Sequence, residues 1–329
     1  MRETIALTAF TERGRALAER LADALGGSVR GEDQPLADWT RESFSSCAAL
    51  VFIGAAGIAV RTVAPYLVSK ASDPAVICLD EGGRWVVPLL SGHLGGANAL
   101  ARRIAALTGG EAVITTATDV NGRFAVDLWA KKQGMALLQP ERIKNVSAKI
   151  LRGETVTIDC PWPVAGSAPE LVRCGTDADA VVSYRKRAGS ALQLVPRVLT
   201  LGVGCKRGTG ADALEAAFQT FCTERGIVPE AVECVASIDL KRDEAGLLSF
   251  CLSHGWPLRF YSAEELRGVP GEFSASAFVE RVTGVDNVCE RAAALCAGQS
   301  PVERKFARGG VTFALAERQK SYDWRWQDG

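Results

Sequence analysis

The stretch from Leu89 to Gly110 reads LLSGHLGGANALARRIAALTGG and sets His93, one of only two histidines in the chain, among Gly92, Gly95 and Gly96. An apolar run, a glycine cluster and a stretch with Leu100, Ile104 and Leu107 on one face predict a strand, a tight turn and a helix. Glycine serves where backbone must bend or let a ligand approach closely. Free N–H groups at such a helix start, reinforced by the helix dipole, form a receptor for anions. The same field disfavours a protonated ring, so His93 is expected to be neutral and able to act as a general base. Ser91 and Asn98 add polar groups to the same turn. The plainer alternative is a histidine that caps the turn by bonding to backbone.

Asp119 closes the segment TTATD, after Thr115, Thr116 and Thr118. Its carboxylate either caps the next helix or orients His93 or a water. Gly57 and Arg61 belong to GAAGIAVR, and Lys206 and Arg207 to GVGCKRGTG. Such cations are solvated in many proteins, but in a cleft they suit carboxylates. SIDLKRDEAGLL places Lys241 and Glu244 three apart at a helix start. They form either a surface pair worth roughly a few tenths of a kcal/mol or part of the same cleft. His254, in LSHGWP, reads as a structural histidine at a helix end. GVGCKRGTG is neither a dinucleotide fingerprint nor a Walker loop, which disfavours a nucleotide-dependent dehydrogenase.

These groups need a scaffold, and the chain alternates short apolar runs with helical patterns. Residues 1–136 read as an amino-terminal α/β domain, 137–196 as a variable middle domain or linker, and 197–329 as a carboxy-terminal α/β domain with a short tail. The predicted fold class is therefore two α/β domains with mainly parallel or mixed sheets around a small middle domain. VERKFARGGVTFALAE predicts a hairpin turning at Gly309–Gly310. In open α/β sheets ligands bind beyond the carboxyl ends of the strands. GAAGIAVR, SGHLGGAN, TTATD and GVGCKRGTG are all expected there, lining a common cleft.

Composition narrows the partners. Lys and Arg total 38 and Asp and Glu total 38, so the net charge of zero argues against a nucleic-acid backbone. It leaves room for a small polyanion held by a local cluster. MRETIALTAF lacks the pattern of a signal peptide, and no run approaches the roughly 18 apolar residues of a membrane span. A cytoplasmic protein without membrane association is expected. The ten cysteines are scattered without a C-x-x-C pair, so they read as small hydrophobes rather than metal ligands, and no protein metal site is predicted.

The run from VFIGAAGIAVRTVAPYL through LLSGHLGGANALARRIA to VITTATDVNG resembles the amino-terminal domain of the CbiG-type cobalt-precorrin-5A hydrolases. LGVGCKRGTGADALEAAF, ASIDLKRDEAGLL, FYSAEEL, VTGVDNVCERAA and GVTFALA resemble that family's carboxy-terminal domain. The resemblance implies a step of anaerobic cobalamin biosynthesis. A δ-lactone on a cobalt-containing contracted tetrapyrrole is opened, and the methylated meso carbon leaves as acetaldehyde. It also implies that cobalt belongs to the substrate and that no further cofactor is needed. His93, oriented by Asp119, would activate water, and the Gly92–Gly96 amides would stabilise the oxyanion. Arg61, Lys206 and Lys241 would hold peripheral carboxylates, with Gly57, Ser91, Asn98, Thr116, Arg207 and Glu244 completing the binding set. A homodimer and transient contacts with neighbouring cobalamin-pathway enzymes are compatible with this reading. The competing reading is a non-catalytic corrinoid binder or carrier.

Overall fold

Fully apolar runs are the seeds of the first sheet. In the computed structural model, which describes residues 4–69 and 72–327, ALVFI and AVICL become central strands buried along their whole length. The chain runs β1 (Ile5–Ala9), α1 (Glu12–Leu25), β2 (Ser28–Val29), α2 (Leu36–Ser46), β3 (Ala49–Ile53) and α3 (Ala56–Val63). It continues with β4 (Ala75–Leu79), β5 (Trp85–Leu90), α4 (Ala97–Thr108), β6 (Glu111–Ala112), α5 (Ala117–Val120) and α6 (Val126–Lys132). The sheet order is β2-β1-β3-β4-β5-β6. Leu7, Leu17, Val51, Ile77 and Ile104 form the core on one face, and Trp39, Phe44, Phe52 and Val63 on the other. α1 starts where Thr11 accepts from the Gly14 N–H and stops at Gly26, whose φ of 73° suits glycine.

All pairings among β1 to β4 are parallel, but β5 runs antiparallel to β4, and β6 is parallel to β5. The segment EAVITTATD yields only the short strand Glu111–Ala112, followed by the short helix α5. β6 is an edge strand whose pairing ends after Val113 donates to the Val86 carbonyl.

The chain divides into two compact units. One holds Met1–Lys131 with Ser147–Glu154 and Trp326–Gly329, the other Lys132–Val146 with Thr155–Arg325. Beyond α6 come β7 (Met135–Leu137), α7 (Ile143–Leu151), β8 (Val156–Asp159), β9 (Val164–Ala165), β10 (Val172–Cys174), β11 (Ala180–Val182) and β12 (Leu192–Pro196). A five-stranded sheet, β10-β8-β11-β12-β7, fills the middle of the chain, parallel except for β7 at its edge.

The remaining elements are β13 (Leu199–Cys205), α8 (Ala211–Arg225), β14 (Val232–Ile238), α9 (Ala245–His254), β15 (Leu258–Tyr261), α10 (Ala263–Arg267), α11 (Ala277–Thr283), α12 (Cys289–Ala297), β16 (Pro301–Arg308), β17 (Val311–Glu317) and β18 (Tyr322–Asp323). They build a mixed sheet, β15-β14-β13-β17-β16. Phe218, Phe221, Phe250 and Phe313 pack its core beneath α8 and α9. α12 crosses β13 so closely that a Cβ on Gly202 would lie 1.8 Å from the Cys289 carbonyl oxygen. The predicted hairpin turns at Gly309 and Gly310, with φ of 58° and 83°. Tyr322 and Trp324 of the tail are buried, and Tyr322–Asp323 pair with Val164–Ala165. Among the described residues no helix is long and apolar enough to cross a membrane.

Candidate active site

The reversal of β5 decides which predicted residues can meet. Leu79 pairs with Val86 and Val76 with Leu90, so the chain leaves β5 beside the start of β4. β6 is parallel to β5, so the residues after it emerge at the same end of the sheet. His93, Asn98, Thr116 and Asp119 therefore converge. Gly57 and Arg61 follow β3, which runs the other way, and both are exposed. The expectation that GAAGIAVR joins the His93 turn in one cleft is corrected by this strand direction.

The turn itself is tightly closed. Ser91 takes a left-handed φ of 56° and donates its hydroxyl to the Asp73 carbonyl at 2.9 Å. A Cβ on Gly95 would lie 2.4 Å from the Ser91 Cβ, and one on Gly92 would lie 2.7 Å from Asn98 Oδ1. The Gly96 N–H donates to the His93 carbonyl, and those of Ala97 and Asn98 to Ser91 and Gly92. These three amides hold the turn and are not free for an anion, which narrows the expected receptor. Among the described residues the N–H groups of His93, Leu94 and Gly95 make no such bond.

His93 stands between two carboxylates. Its Nε2 lies 2.6 Å from Asp119 Oδ2, and its Nδ1 lies 3.1 Å and 3.3 Å from the oxygens of Asp127. The three side chains are 11%, 10% and 9% exposed. Burial works against a charged ring, but Asp127 and Asp119 outweigh it and hold the His93 pKa above its ordinary 6.5. The helix start is expected to lower the ring's affinity for a proton; the two nearby anions shift it the other way.

Asp119 is a saturated acceptor. Asn98 Nδ2 donates to it at 3.1 Å and Arg102 Nη2 at 2.8 Å, besides the ring. Burial opposes its ionisation, yet Arg102 and His93 hold its carboxyl below the ordinary 3.8. Asn98 also donates to Thr116 Oγ1 at 3.1 Å. Lys131 Nζ donates to the Leu94 carbonyl at 3.0 Å. Sequence reasoning missed Asp127 and Arg102. Arg102 lies one helical turn beyond Asn98, a spacing that could have revealed it. Asp127 announced itself only as an acid within an otherwise apolar helix face, beside buried Val126 and Trp129.

In the second unit a cavity of about 610 Å³ opens beyond the carboxyl ends of β13 and β14. Leu240, Phe278 and Val282 give it apolar walls, and Lys206, Lys241 and Lys305 supply cations. Lys241 is paired with Glu244 at 2.9 Å, and Glu244 also accepts the Gly208 N–H at 2.9 Å. Lys241 and its bonds to Glu244 hold that carboxyl below its ordinary value. The predicted role of Lys241 as an available cation is thus corrected: its charge is already matched. Arg207, 84% exposed, reaches only Asp243, at 3.3 Å. Lys206 and Lys305 make no ion pair among the described residues. Lys305 escaped notice because register shifts interrupt the alternation of β16. His254 is elsewhere in the same unit, stacked on Trp256 at 3.9 Å and bonded to Glu215 at 2.7 Å.

Known proteins carry the same three regions. Residues 38–119 match the model described as Cobalamin synthesis G N-terminal, 124–201 the Cobalamin biosynthesis central region, and 199–316 the Cobalamin synthesis G C-terminus. The chain is 34% identical to the cobalt-precorrin-5A hydrolase of Salmonella typhimurium, over 95% of this chain and 97% of that protein. It is also 34% identical to the cobalt-precorrin-5A hydrolase of Priestia megaterium, over 83% and 79% of the two chains. Protein CobE of Sinorhizobium sp is 31% identical but corresponds to only 36% of this chain. With identity of this level running through nearly its whole length, the chain belongs to the cobalt-precorrin-5A hydrolase family.

Proposed function

We propose that this protein hydrolyses cobalt-precorrin-5A, opening its δ-lactone and releasing acetaldehyde to give cobalt-precorrin-5B in cobalamin biosynthesis. The observation that carries the chemistry is His93, gripped at both ring nitrogens by Asp119 and Asp127. Lactone opening needs a proton removed from water and a proton delivered to the departing oxygen. An imidazole and two carboxylates in contact can manage both. The amides of His93, Leu94 and Gly95, without a backbone partner among the described residues, are suited to the oxyanion of the tetrahedral intermediate. The positive groups Arg102 and Lys131 offset the two carboxylates, so an anionic substrate is not repelled.

The cavity of the second unit supports binding of a large apolar ring that bears carboxylates. Its walls are apolar, and Lys206 and Lys305, without an ion pair among the described residues, are suited to pairing with the ring's carboxylates. Cobalt enters as part of the substrate, and its electronic influence assists the carbon–carbon cleavage that follows lactone opening. The test is direct. Purified protein mixed with cobalt-precorrin-5A should release one acetaldehyde per macrocycle, and His93→Gln should lose turnover while remaining folded. Tight binding without acetaldehyde would replace the hydrolase by a corrinoid carrier.

A further inference from the structure

We propose that Asp127, rather than His93, takes the proton from the attacking water, while His93 acts from its charged form as the proton donor. This rests on the hydrolase reading and assigns the roles within its acid–base centre.

The two carboxylates hold the ring unequally. Asp119 is filled by donors from His93, Asn98 and Arg102, at 2.6, 3.1 and 2.8 Å. Asp127 accepts only the divided contact from Nδ1, at 3.1 and 3.3 Å, among the described residues. A carboxylate offers about four lone-pair sites, so most of those on Asp127 stay open. Its side chain is only 9% exposed, and leaving a buried carboxylate short of donors is costly. A water is the smallest molecule that supplies the missing donors. The ring, by contrast, has no lone pair to offer once both nitrogens carry protons that point at carboxylates. His93 can give a proton but cannot take one until it has done so.

The steps balance. Asp127 removes one proton from water as the water oxygen bonds to the lactone carbonyl carbon. The tetrahedral intermediate collapses by breaking the bond between that carbon and the ring oxygen. This oxygen takes the Nδ1 proton of His93 and becomes the hydroxyl on the meso carbon. The proton held by Asp127 then passes to Nδ1, which restores both side chains. One water is consumed for each lactone opened. Asp119, with Arg102 behind it, keeps Nε2 in place throughout and is a positioning residue.

The groups that face this pair are Asp119 on α5, Arg102 and Asn98 on α4, and Lys131 on α6. kcat is expected to fall as pH rises through the His93 pKa, because the ring then loses the proton it donates. Asp127→Asn should lower kcat by about a hundred- to ten-thousand-fold with little change in KM. Asp127→Ala should regain at least about tenfold of its lost activity in formate, which restores a carboxylate, whereas formate should leave the wild type unchanged. Ring ¹⁵N resonances give a readout without turnover, since only His93 and His254 contribute. The His93 ring should titrate above its ordinary 6.5 in the wild type and lower in Asp127→Asn.

An Asp127→Asn enzyme within threefold of wild-type kcat overturns the proposal. So does a fall in kcat without formate rescue, which would reduce Asp127 to a structural support. A wild-type protein that yields no acetaldehyde overturns the hydrolase reading itself, an outcome separate from any effect at Asp127.

Discussion

Replacing Asp119 by Asn tests whether the ring beside it is charged. The contact is 2.6 Å long between side chains that are 11% and 10% exposed, so solvent screens it weakly. A hydrogen bond between charged groups contributes about 1.5–3 kcal/mol, and a neutral one about 1 kcal/mol. The folded-state pKa of His93 is raised above 6.5, so the charged pairing contributes fully below that value and fades as pH rises through the folded pKa. Asp119 is held below 3.8 and stays ionised throughout this range. Its other charged partner, Arg102, is 51% exposed and adds little. Asp119→Asn should therefore cost about 2–3 kcal/mol at pH 5.5 and about 1 kcal/mol at a pH above the folded pKa of His93. With roughly 3 °C of Tm per kcal/mol for a unit of this size, the loss is about 8 °C and 3 °C respectively. Thermal unfolding of both proteins across that pH range provides the measurement, with His93→Gln as a background in which the difference should become flat. A loss of only about 1 kcal/mol at pH 5.5, or one that grows as pH rises, would show that the ring is neutral at pH 5.5 and would refute the electrostatic account of this site.

Gly95→Ala should open the turn, because its methyl would lie 2.4 Å from the Ser91 Cβ. The expected cost is about 1–3 kcal/mol of stability, read by thermal unfolding, with turnover lost. Lys305→Met should raise KM about tenfold and leave kcat within twofold in steady-state assays, as expected for a group that binds a peripheral carboxylate equally in ground and transition states. His254→Phe should keep the stack on Trp256 and change kcat less than twofold, since His254 serves only Glu215 and its aromatic neighbours.

Elements with strong local signals were legible. The glycines after Leu25 end α1 at Gly26, and the Gly309–Gly310 hairpin turns where expected. The meeting of His93 and Asp119 was also legible, because both follow strands whose ends are marked by polar turns. The direction of β5 was not read from its composition, since an apolar strand looks alike both ways. Its link to β4, residues 80–84, is too short for a parallel crossover, and this was the usable clue. α2 hides its apolar stripe of Leu36, Trp39, Thr40, Ser43 and Phe44 among polar residues, so its period was missed. Asp127 depends on how α6 docks, which no local spacing encodes. Lys241 looked available because sequence places it near Glu244 without showing that the pair is buried.

α6 begins at Val126, beyond the stretch of chain that the amino-terminal family model matches. A fragment trimmed at residue 119 would retain the glycine turn, Arg102 and Asp119, yet it would leave the imidazole with a partner on one nitrogen only. Recombinant pieces meant to preserve the chemistry should therefore extend through Lys131, and chimaeras joined between residues 119 and 126 would exchange half of the proton-handling machinery along with the seam.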